Sequence, residues 1–141
     1  MVAAGGVDRP QTFAQSTWLP TTGTTPWTTG TAWSGGLVPN AVDAVAVFPT
    51  AGPTILLDDT TVTVGTINQT TASGNVVLGS TGTAGSSTDV INLAVSSGVP
   101  SINLTGGNLY MYAQLTGSQG LRKTGAGVYS PRYNTLDFTY T

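Results

Sequence analysis

Thr61-Val62-Thr63-Val64-Gly65-Thr66-Ile67 alternates apolar and small polar side chains, which is the period of a strand with one buried face. Similar short runs surround it. Upstream, Ala44–Phe48 ends at Pro49, and Ile55–Leu57 leads into the turn pair Asp58-Asp59. Downstream lie Asn75–Leu78, Val90–Val95, Ser101–Leu104 and Leu109–Leu115. In Leu136–Tyr140, residues Leu136, Phe138 and Tyr140 share one face. Between the runs stand Thr71-Ala-Ser-Gly74, Ser97-Gly-Val-Pro100 and Thr105-Gly-Gly-Asn108, all of which favour turns. No segment carries a helical stripe. The chain has no Glu and a single Lys, whereas Thr and Val, which suit pleated surfaces, are abundant. The fold class is therefore all-β. Short strands at close spacing suit a β-solenoid, a barrel, or a jelly-roll or other β-sandwich.

The text before residue 40 is different. From Gln11 to Pro39 it is rich in Thr, Gly, Pro and Trp, and Pro10, Pro20, Pro26 and Pro39 interrupt any regular element. This composition divides the chain into an extended N-terminal arm, residues 1–39, and an all-β domain, residues 40–141. Trp18, Trp27 and Trp33 lie in the arm. They either fold back onto the domain core or anchor the arm on a neighbouring subunit, since Trp is a frequent hot-spot residue.

Charge excludes several functions. Of 141 residues only 7% are charged, with 4 Lys+Arg, 6 Asp+Glu, no His and no Cys. Imidazole, thiol and His/Cys metal chemistry have no reagents, so neither a cofactor nor a metal is expected. Four cations cannot supply the basic surface that nucleic-acid binding needs. No run is long enough to cross a bilayer as a helix, and Met1–Gly6 precedes no signal-peptide core. The reading therefore expects no nucleic-acid or membrane partner and a protein made in the cytoplasm. A near-neutral surface favours association instead.

Leu115-Thr-Gly-Ser-Gln-Gly-Leu-Arg-Lys-Thr-Gly-Ala-Gly-Val128 resembles the Gly-Leu-x-Lys-x-Gly-x-Gly signature of autotransporter-associated β-strand repeats. Trp33 before Ser-Gly-Gly, Pro39, Ala46-Val47-Phe48, Thr61–Ile67, Ile102 and Gly107-Asn108 are similar to the upstream text of that family. The resemblance implies a right-handed parallel β-solenoid with no catalytic residues. The reading expects about one such unit here, with neither the family's export signal nor its membrane barrel. A unit this short needs caps or partners at its ends.

The remaining motifs are weak. Asp58-Asp59 could supply carboxylates to Ca²⁺ or to glycosidic chemistry, but Asp pairs between strands usually close turns. Arg122-Lys123-Thr124-Gly125 lacks the Gly before Lys that a phosphate loop requires. Asn68-Gln-Thr70 and Asn103-Leu-Thr105 fit the glycosylation triplet. Tyr110, Tyr112, Tyr129, Tyr133 and Tyr140 could form a sugar-stacking platform or be core and interface aromatics.

Together these features lead to the expectation of a non-enzymatic structural protein, a capsid decoration or cement protein of a phage virion. It would bridge capsomers of the major capsid protein as a trimer or dimer. Its interface candidates are Trp18, Trp27, Trp33, Arg122, Arg132, Phe138 and Tyr140. The alternative is an extracellular or cell-surface β-helical adhesin that binds glycans or cells.

Overall fold

The computed structural model describes residues 15–79 and 88–132. These residues form a short β-solenoid whose named strands all pair in parallel. Parallel pairing throughout excludes the jelly-roll and sandwich alternative, whose sheets are antiparallel.

The first coil contains β1 (Gln15–Thr17) and β2 (Thr24–Pro26), followed by two 3₁₀ turns, Gly30–Ala32 and Ser34–Gly36. The second contains β3 (Val45–Phe48), β4 (Thr54–Leu56) and β5 (Thr61–Val64). The third contains β6 (Thr66–Gln69), β7 (Asn75–Leu78) and β8 (Val90–Leu93). The fourth contains β9 (Ser101–Leu104), β10 (Asn108–Met111) and β11 (Gln114–Thr116), and the last β12 (Arg122–Thr124) and β13 (Tyr129–Pro131). Equivalent strands stack as three sheets, β1-β3-β6-β9-β12, β2-β4-β7-β10-β13 and β5-β8-β11.

Register explains why this sequence can form coils. Because strand side chains alternate, in-register parallel stacking turns each inward position into a continuous column. Ala46, Ile67 and Ile102 form one column, Ile55, Leu78 and Met111 another, and Val62, Ile91 and Leu115 a third. All are buried. Each fully enclosed Ile, Leu or Val contributes roughly 1.5–3 kcal/mol. The columns thus supply the cohesion that no single coil could.

Glycine sets how closely the turns between the first and second sheets can stack. The turn Gly125–Gly127 lies on the turn Thr105–Asn108 of the coil before it, with Gly127 N–H donating to Leu104 O at 3.0 Å. Gly125 has φ +84°, and a Cβ there would collide with the Leu104 carbonyl. The Gly-x-Gly spacing is therefore a requirement of coil stacking.

The expected arm is corrected for residues 15–39. β1 pairs with β3 and β2 with β4, so this stretch is the first coil of the solenoid. Its prolines lie outside the central strands, and its tryptophans fill the coil interior. No boundary falls at residue 39, because the hydrogen-bonded sheets run through it. Residues 1–14 lie outside the described residues.

Candidate functional site

Trp18, Trp27 and Trp33 are 1%, 0% and 1% exposed, which corrects their reading as anchors on another subunit. A side chain enclosed by its own chain has no surface to offer a partner. The three rings and Phe48 form an aromatic cluster in the first two coils. Trp18 meets Trp33 edge-on at 4.9 Å between centroids, and Trp27 lies 4.9 Å from Trp33. Trp33 Nε1 donates to Trp27 O at 2.7 Å and Trp27 Nε1 to Pro39 O at 2.9 Å. These bonds tie the loop through residue 39 across the end of the solenoid. Trp18 Nε1 is buried without a partner among the described residues.

The other interface candidates are dispersed. Arg122 is exposed at the start of β12, opposite Ser101. Arg132 follows β13, and its guanidinium carbon stands 4.5 Å above the Tyr110 ring centroid. Phe138 and Tyr140 lie outside the described residues, as does Tyr133. Tyr110 is half-buried on the outer face of the second sheet and Tyr112 is half-buried just after β10, whereas Tyr129 packs against the core. The structure therefore does not gather the tyrosines into one platform.

Asp58 and Asp59 form a turn, as the sequence allowed. Both have left-handed backbone angles, φ 50° and 59°, which Asp tolerates better than most residues. The turn is tied to the next coil: Asp59 N–H donates to Asp89 Oδ1 at 2.8 Å, and Thr88 Oγ1 donates to Asp59 Oδ1. No cluster of three metal-ligating side chains occurs among the described residues. Lys123 Nζ donates to the carbonyls of Gly125, at 2.7 Å, and Gly127, so it secures a turn.

The surface feature that sequence reasoning missed is a set of polar ladders. On the first sheet, Asn103 Nδ2 donates to Asn68 Oδ1 at 2.6 Å, and Thr124 Oγ1 to Asn103 Oδ1 at 2.5 Å. On the third, Asn92 bridges Thr63 and Thr116 at 3.4 and 3.3 Å. On the second, Asn108 Nδ2 donates to Asn75 Oδ1 at 3.0 Å. A sequence signal existed. Ile-Asn recurs at Ile67-Asn68, Ile91-Asn92 and Ile102-Asn103, each pair placing Ile inward and Asn outward. The ladders also give the two glycosylation triplets an internal role, because Asn68 and Asn103 bind each other.

Among the described strands, Arg122 is the one charged residue at an outward position. The outer strand faces are otherwise Thr, Asn, Ser, Gln, Val, Leu, Tyr and Pro. Such a surface costs less to desolvate than a charged one and does not repel a neighbour by charge. No described helix is long and apolar enough to cross a membrane. Comparison with protein-family models, curated proteins and solved structures finds no match.

Proposed function

We propose that this chain is a non-enzymatic structural protein that binds protein surfaces through the sides of its solenoid, and that it decorates and stabilises a phage capsid. One observation carries the reading: the outward strand faces are nearly free of charge and lined by hydrogen-bonded polar ladders. A surface of this kind favours association by shape and hydrogen bonding. The expected partner is the major capsid protein, with dimers or trimers forming side by side. Stabilisation would follow from linkage, because a protein that binds only the assembled shell shifts the equilibrium toward it. Lacing by residues 15–39 has no part in this mechanism, since that segment is a coil.

The test is co-sedimentation with intact particles, shells lacking the protein being mixed with purified chain. Saturable binding at a fixed number of chains per shell, with a raised shell disassembly temperature, supports the reading. Failure to bind any shell overturns it.

One observation favours a second reading, a glycan-binding surface adhesin. Arg132 stacked on Tyr110 resembles the aromatic and cationic side chains that hold sugar rings. Saturable binding to immobilised oligosaccharides that is lost in Tyr110→Ala would favour this reading over the capsid one.

A further inference from the structure

We infer that both ends of the solenoid are built to refuse a second copy of this chain, so that coils do not continue from one molecule into the next. A parallel solenoid has a general hazard: its first and last strands present the same backbone pattern that its internal strands use for pairing. Several independent features remove that complementarity here.

Among the described residues, the second sheet ends in proline on both sides. Pro26 is the last residue of β2 and Pro131 the last residue of β13, the first and final strands of that sheet. Their neighbours fix the direction in which each peptide points. Trp27 N–H donates inward to Leu56 O at 2.7 Å, and Arg132 N–H inward to Met111 O at 2.7 Å. Because donors alternate along a strand, positions 26 and 131 are those whose N–H would point away from the sheet. Proline has no N–H to offer there.

The first sheet is closed differently at each end. In β1, Trp18 N–H donates to β3 at Val47 O, so the Thr17 N–H points outward, and Ser34 Oγ takes it at 2.9 Å. At the far end, Lys123 occupies the register position above Ile102, Ile67 and Ala46. A hydrophobic column thus ends in an ammonium group. Lys123 is exposed, and the Gly125 and Gly127 carbonyls that it binds carry no countercharge. Another coil laid on β12 would bury that charge. The third sheet begins at β5, where Asn40 Oδ1 accepts from Thr63 N–H and Ala41 N–H donates to Thr63 O, both at 2.8 Å. These groups take the place of a preceding strand.

The test is a variant that opens both ends, Lys123→Ile with Pro131→Thr at one and Pro26→Thr with Ser34→Ala at the other, which extends the apolar column, restores two outward donors and frees the Thr17 N–H. Its mass is measured by light scattering beside the wild type over a range of concentrations. Circular dichroism monitors the fold. A rise with concentration to roughly twofold the wild-type mass or more is expected, reversed when Gln15→Pro is added in β1. A folded variant open at both ends that keeps the wild-type mass overturns the inference, as does an association that Gln15→Pro leaves unchanged. If this variant fails to fold, Lys123→Gln with Ser34→Ala, which opens the first sheet, and Pro131→Thr with Pro26→Thr, which opens the second, are measured by the same criteria. Wild-type chains that themselves elongate with concentration and are arrested by Gln15→Pro also overturn it.

Discussion

Asn103 Nδ2 donates to Asn68 Oδ1 across 2.6 Å, one coil above it on the outer face of the first sheet. Both residues sit next to inward isoleucines, Ile102 and Ile67, that are fully buried. The same dipeptide therefore contributes to the core on one side and to a polar ladder on the other. Asn103→Ala removes the middle rung and leaves Asn68 and Thr124 without their shared partner. The expected loss is about 1–2 kcal/mol, read as a lower urea midpoint with an unchanged slope.

The tryptophans give a stability prediction in place of a binding one. Trp33→Ala opens a cavity beside Trp18, Trp27 and Phe48 and removes the bond to Trp27 O. A cost of about 3–5 kcal/mol is expected in chemical unfolding. In the wild type, acrylamide should quench tryptophan fluorescence weakly until the chain unfolds. Strong quenching of the native protein would contradict the enclosure of all three rings.

Gly125→Ala addresses the stacking of the last coil. The new methyl would meet Leu104 O, and φ +84° is unfavourable for alanine. A loss of roughly 1–3 kcal/mol is expected, with faster hydrogen exchange concentrated in Arg122–Thr124. Uniform destabilisation without that local signature would argue against the turn-on-turn account.

Gln119 gives a smaller and more local effect. Its amide accepts from Val95 N–H at 2.9 Å and donates to Val95 O at 2.7 Å, taking both bonds that a strand would make. Gln119→Ala should cost about 1–2 kcal/mol and speed exchange at the Val95 amide. Gln119→Asn, one methylene shorter, should recover little of it.

Much of the fold is legible in particular residues. The alternation through Thr61–Ile67 reads as a strand, and the structure divides it at Gly65 into β5 and β6, which belong to different sheets. The Asp58-Asp59 turn is equally legible, because its residues are suited to left-handed backbone angles. The first coil was not. β1 and β2 are three residues each, too short to show a period, and Pro26 in β2 looks like linker chemistry until the edge position explains it. Lys123 was obscured for a similar reason. Its neighbours in sequence suggest a solvated turn, whereas its importance comes from Ile102, which is adjacent only through coil stacking.

The sequence alone determines the all-β character and the assignment of inward and outward residues within each strand, because alternation is a local property of the chain. Composition likewise determines which chemical reagents the protein has. Only the tertiary structure decides that the strands pair in parallel, that the tryptophans face inward, and that asparagines far apart in the chain form ladders. The physical reason is that register couples residues one coil apart, and the contour length of a coil depends on its loops. Nothing in a strand's own sequence states which strand will lie above it.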